Sequence, residues 1–363
     1  MLTSKERISR ILGLKPVDHI GFHDFFWGET REKWRSENHI DKNVSVNDYF
    51  KDDIVDINIF NMVADLDFAE QIVEETEETK LVRNGNGSLL RWYKKGSSTP
   101  EHVDYLVKDM ASWEDRVRAH LIKTDNLKKR IDFQKYRETK TECEKRNLFF
   151  ALGTANVFES MMAVCGHENM LLGMALEPDW VKDMCSVYSD LIINLIETVI
   201  AEEGKPDAVW YFEDMGYKFK PFMSPAMYKE IIWPAHKRTF DYAHSLGLPV
   251  IVHSCGFVEP LVPGLIEAGM NCLHPLEIKA GMDLLKMKKM YGARISFMGG
   301  IDTRNLVSND KNIIKAELEE KIPAVMKGSG YILHSDHSVP SEVNFETYKY
   351  FLETALKLGT YKL

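Results

Sequence analysis

Short runs rich in β-branched and aromatic residues alternate along the chain with longer stretches whose apolar positions recur every three to four residues. VDHIGFH (17–23), DIVDINIF (53–60), NLFFALG (147–153) and DAVWYFE (207–213) read as strands. So do LPVIVHS (248–254), MNCLH (270–274), RISFMGG (294–300) and GYILHS (330–335). Between the later runs, residues 224–247, 258–269, 282–292 and 311–328 carry helical periodicity, and several of these segments close on Gly. Eight strands alternating with helices predict an α/β fold, a (β/α)8 TIM barrel. The opening MLTSKERISRILGLKPVD predicts a charged, amphipathic N-terminal helical extension. One stretch breaks the rhythm. Residues 68–96 alternate with period two and contain NGNG, which predicts a β-hairpin inserted after the second strand. The charged, helical pattern of 100–146 is expected to pack outside the barrel, so 61–146 reads as an insertion of hairpin plus helices. No Pro/Gly/Ser linker divides the chain, and one domain spanning 1–363 is expected.

The 363 residues suffice for a large core, and 44% of them are apolar. No uncharged apolar run approaches the roughly 18 residues of a membrane span. The N-terminus lacks the apolar region of a signal peptide. A net charge of −9 argues against a nucleic-acid surface. Cys143, Cys165, Cys185, Cys255 and Cys272 are odd in number and scattered, which suits a reducing cytoplasm better than a disulfide framework.

Barrels of this kind place chemistry at the strands' carboxyl ends. Those ends carry His23 and Asp24, Asp65 and Asp67, Glu213 and Asp214, His253 and Cys255, His274 and Glu277, Asp302, then His334, Asp336 and His337. In IVHSCG, His253 and Cys255 stand at i and i+2, so a strand projects both to one face, and Gly256 lets the chain turn. Zinc accepts both donors, and a catalytic zinc takes three protein ligands with one position open. His337 is the first candidate for the third, with Glu277, His274 and Glu213 behind it. The alternative is a hydrogen-bonded His253 beside a Cys255 that acts as a small hydrophobe. Glu213 and Asp214 follow VWYF, so at least one should face the pocket as a general acid, the alternative being an ion pair with Lys218 or Lys220. Asp302 in GGID reads equally as a helix N-cap, Asp65 and Asp67 as turn residues, and His334 as a core histidine.

HSCG, EPLVPGLIEAG, HPLEIKAGMD, FMGGID and GYILHSDHSVP together are similar to the uroporphyrinogen decarboxylase superfamily, as is the opening SKERISRILGLKPVDHI. That resemblance implies a (β/α)8 barrel and two chemistries. Decarboxylases of the family carry an Arg-Gln-Ala-Gly-Arg type segment after the first strand, where this chain reads GFHDFFWGETREKW. Without that anion clamp a tetrapyrrole octacarboxylate is poorly accommodated. The other branch comprises zinc- and cobamide-dependent methyltransferases, whose coenzyme M members use a His-x-Cys pair and a later Cys. His253 and Cys255 match the pair, and His337 stands where the later Cys would fall. A harder zinc site suits an ether or alcohol oxygen better than a thiol. The layout resembles the methyltransferase I components of O-demethylases, which pass a methyl group from a methyl ether, often aromatic, to the Co(I) of a separate corrinoid protein. The resemblance thus implies zinc in the chain, cobamide from a corrinoid partner, and a small methylated substrate. His23, Phe26, Trp27, Tyr211, Tyr217 and Asp302 are the candidate substrate contacts, and Glu213 with Asp214 the catalytic carboxylates. Transfer from methylcobamide to a thiol or pterin is the alternative direction. The sequence leaves a homodimer open.

Overall fold

The computed structural model of the chain describes residues 1–95 and 99–361. Among the described residues, fourteen strands occur in chain order. They are β1 (Gly21–Phe22), β2 (Ile54–Asn58), β3 (Gln71–Glu75), β4 (Thr79–Arg83), β5 (Ser88–Tyr93), β6 (Glu101–Tyr105) and β7 (Phe149–Ala155). Then follow β8 (Ala208–Phe212), β9 (Gly216–Tyr217), β10 (Lys220–Pro221), β11 (Val250–His253), β12 (Cys272–His274), β13 (Ser296–Met298) and β14 (Tyr331–Leu333). Eight of them form one parallel sheet in the order β1-β14-β13-β12-β11-β8-β7-β2. All eight expected barrel strands are present, seven of them shorter than their apolar runs and β7 of equal length but shifted by two residues. The two ends of the sheet meet through Asp53, whose carboxylate accepts from the Phe22 amide (2.9 Å) and whose own amide donates to the Phe22 carbonyl (3.0 Å). The result is a nearly closed (β/α)8 TIM barrel.

Strand parity divides the apolar residues into two cores. Ile54, Phe149, Ala151, Ala208, Trp210, Ile251, Cys272, Met298 and Ile332 fill the interior. Phe150, Leu152, Val209, Tyr211, Val250, Val252, Leu273, Phe297, Tyr331 and Leu333 pack outward under the helices. The N-terminal helix Ser4–Leu12 starts on a Thr3/Glu6 capping box and presents Ile8, Ile11 and Leu12 to the interior core. It thereby closes the barrel's amino-terminal end.

The expected hairpin is larger than its sequence signal. The NGNG turn joins β4 to β5, but β3 and β6 extend the pair into a four-stranded antiparallel sheet, so part of the stretch expected to be helical is a strand. This sheet leans on helix Val157–Leu176 at Gly166, where φ is +71° and any Cβ would lie 2.3 Å from the Tyr105 ring. In the expected helix 224–247, Pro234 lacks an amide hydrogen, and a π-turn over Tyr228–Ile232 precedes the regular helix Trp233–Ser245. Helix Pro178–Glu203 is long and apolar enough to cross a bilayer, but 56% of its most apolar window is buried in the protein.

Candidate metal centre

The inward parity of four strands converges at the barrel mouth. Ile251 is followed two residues on by His253, Cys272 by His274, Ile332 by His334, and Gly21 by His23. Pairing of β11 with β12 sets His253 directly opposite His274. Cys255 lies just past β11, with its Sγ 3.3 Å from His253 Nε2. Asp214, just past β8, places Oδ1 3.3 Å from the same Nε2 and accepts the Cys255 amide at 2.8 Å. Donor atoms of Asp214, His253 and Cys255 all fall within 4.8 Å of one another.

A close backbone approach holds this group together. The Phe257 amide donates to the Tyr217 carbonyl (2.8 Å), and Gly256, at φ +79°, passes so near Gly216 that a Cβ would sit 2.3 Å from the Gly216 carbonyl carbon. Only glycine fits there. Beside the group opens a cavity of about 460 Å³ lined by Tyr217, Lys218, Cys255, Glu277, Lys279 and Arg304, among others. Two of its cations are paired, Lys279 with Glu277 (3.2 Å) and Arg304 with Asp302 (2.6 Å).

An imidazole, a thiol and a carboxylate on three sides of one point match the mixed donor set of a catalytic zinc. Burial and the nearby carboxylates of Asp214 and Glu277 push the Cys255 thiol well above its usual pKa. Deprotonating it calls for a cation.

Of the other expected site residues, Glu277, His274 and Tyr217 border the group and the rest lie elsewhere. His337 packs its ring against Trp27 (6.0 Å between centroids), with Nδ1 3.4 Å from the Ser338 carbonyl, and is not in the donor group. Asp214 takes the third place. Glu213 is fully buried and faces outward, where it accepts from the Phe158 and Glu159 amides (3.0 and 2.8 Å) and contacts His236 Nε2 at 2.5 Å. It caps the helix Val157–Leu176 from outside. Glu277 accepts from the Gly256 amide (2.7 Å), and His274 is hydrogen-bonded to His253. Tyr211 packs on Phe240, and Phe26 sits among Trp34, Phe50 and Tyr348, both away from the cavity. His23 is buried against Asp52 (3.0 Å). Asp302 caps Thr303–Val307, and Asp65 accepts from the Asp67 amide in a turn. Tyr217, 60% exposed, does line the cavity.

Sequence reasoning missed Glu159. Burial, then the charges of Asp214 and Glu213, raise its carboxyl to about 8, so it carries a proton at neutral pH. Its place in the first turn after β7 was the available signal.

A (β/α)8 barrel with a mixed His/Cys/Asp group at its mouth defines a class of barrel enzyme. Residues 98–358 match the uroporphyrinogen decarboxylase (URO-D) family model, and the chain belongs to that family. Among solved structures it is similar to a methyltransferase from Methanosarcina mazei, with 16% identity, TM-score 0.69 and 98% of each chain covered. It is also similar, more distantly, to the β-glycosidase of Thermosphaera aggregans, with 10% identity, TM-score 0.45 and coverage of 96% and 98%. No curated protein matches the chain. The first of these likenesses establishes that the whole barrel, with its additions, has the fold of that methyltransferase.

Proposed function

We propose that this chain is a zinc-dependent methyltransferase that demethylates a methyl ether, aromatic in character, and passes the methyl group to the Co(I) cobamide of a separate corrinoid protein. The observation that carries this reading is the convergence of Asp214, His253 and Cys255 beside an open cavity at the barrel mouth. Family membership and the fold shared with a methyltransferase support it. A carboxylate from Asp214 as third donor, rather than a second thiolate, makes a harder site and favours an oxygen-bound methyl group over a thiol.

His253, Cys255 and Asp214 would hold the zinc, which supplies a Lewis acid for the departing oxygen. That help matters because a phenolate, with a conjugate acid near pKa ~10, is a poor leaving group. Tyr217 offers a ring face at the cavity for an aromatic substrate. Phe212, 5.0 Å from His253 between ring centroids, packs beside that ligand. The cobamide comes from the partner, which must reach the mouth. Five free cysteines suit a cytoplasmic setting.

The test joins metal analysis to a transfer assay. Purified protein should hold stoichiometric zinc and convert cob(I)alamin to methylcobalamin when given a methoxylated aromatic. Transfer only from methylcobalamin to a thiol or pterin would put the reverse direction in its place. Zinc-free protein that decarboxylates uroporphyrinogen would sink both readings.

A further inference from the structure

Three histidines run in line behind the metal centre. His253 Nδ1 lies 2.7 Å from His274 Nδ1, and His274 Nε2 lies 3.2 Å from His334 Nε2. His334 Nδ1 then meets the Ser335 carbonyl, with Asp24 Oδ1 at 3.4 Å. His274 and His334 are fully buried, and each nitrogen of His274 faces another imidazole rather than a carboxylate, surroundings that favour neutral rings.

A neutral imidazole has one N–H and one lone pair, and each nitrogen pair in the row needs one of each. The Ser335 carbonyl can only accept. His334 therefore carries its hydrogen on Nδ1 and turns a bare Nε2 toward His274. His274 must donate from Nε2, which leaves its Nδ1 bare. His253 then donates from Nδ1, and its Nε2 lone pair points at Cys255 Sγ and Asp214 Oδ1. The opposite polarity would set a bare His334 nitrogen against a carbonyl oxygen in a dry interior, a loss of about 1–3 kcal/mol for an unsatisfied buried group.

We propose that His274 and His334, anchored by the Ser335 carbonyl, are positioning residues that lock His253 in the Nδ1–H tautomer and so aim a free Nε2 lone pair into the metal centre. This deepens the zinc reading and rests on it for the metal, whereas the tautomer row stands on the protein alone. A lone pair facing a carboxylate oxygen at 3.3 Å is an arrangement that a cation between them stabilises. Histidine ligands generally depend on such a partner behind them, and its loss typically costs about 10–100-fold in metal affinity.

Two measurements test this. Long-range 15N–1H correlations on 15N-histidine-labelled apoprotein should report Nδ1–H for His253, Nε2–H for His274 and Nδ1–H for His334. An Nε2–H tautomer at His253 overturns the row. Zinc competition titrations should then give His274→Leu a loss of about 10–100-fold. His274→Asn should recover most of the affinity, because an amide can accept from His253 and donate to His334. Equal affinity for wild type and His274→Leu, or equal loss in both variants, overturns the positioning role. Wild-type protein that binds no zinc refutes the metal reading alone, and the tautomer spectra still decide the row.

Discussion

Glu213 and Asp214 are neighbours in the chain, yet the pleat at the end of β8 sends them to opposite sides of the barrel wall. Glu213 satisfies two amides of a helix start and a buried histidine, while Asp214 joins His253 and Cys255. Their substitutions should separate cleanly. Glu213→Gln should lose about 1–3 kcal/mol of stability, because a buried acceptor of two amides is weakened, and should keep zinc affinity. Asp214→Asn should melt nearly as wild type in urea and lose zinc affinity by at least the roughly 10–100-fold seen for groups behind a ligand. The reverse pattern would return the site role to Glu213. Strand parity explains what could be read in advance. His253 and Cys255 were legible because they are two apart at a strand end with a glycine after them. Trp210 and Phe212 face the interior, so parity also places Tyr211 and Glu213 outside, but one sequence does not state which parity is inward. His337 lies beyond β14, where no period constrains the chain, and there the expectation rested on the family resemblance and the strand end alone.

The N-terminal helix shows how a whole element is fastened by a few charges. Arg7 reaches Asp18 at 2.9 Å and Asp53 at 2.8 Å, and Asp53 also bridges β1 to β2. Burial alone would raise the Asp18 carboxyl, but the Arg7 guanidinium and the Leu2 amide outweigh it and hold the group far below the usual range. A folded pKa below the unfolded value, about 3.9, means the contribution is complete above that pH and is lost as pH falls below it. Hydrogen exchange should therefore show residues 4–12 losing protection between about pH 4 and pH 2, ahead of the central strands. Arg7→Met should abolish that pH dependence; an unchanged profile would assign the acid response to another group. The helix itself was plain from its charged, amphipathic pattern. Its role as a barrel plug was not, since sequence gives the apolar stripe but not the surface it meets. The antiparallel sheet shows the same limit, because NGNG marks one turn but says nothing of the outer strands.

At the scale of the whole molecule, the barrel's two cores and the metal centre are separate supports. The eight-strand alternation was legible because a (β/α)8 barrel repeats one local pattern, and each repeat strengthens the reading of the others. The centre is assembled only at the mouth, from the end of β11 and two loops whose approach depends on Gly216 and Gly256, and none of its three donors belongs to either apolar core. Zinc should accordingly tune stability without creating it. At a concentration 100 times Kd, linkage adds about 2.7 kcal/mol, which in a chain of this size moves Tm by only a few degrees. Chelator-treated protein should still melt cooperatively, slightly below the zinc-loaded form. Cys255→Ala should melt like the chelated wild type and show no upward shift when zinc is restored. Loss of cooperative melting on chelation would make the metal a structural support of the barrel, because only a fold that depends on its ligands collapses when they are freed. A full zinc-induced shift in Cys255→Ala would instead place the metal elsewhere on the chain, since a site that has lost its thiolate cannot return the same binding energy.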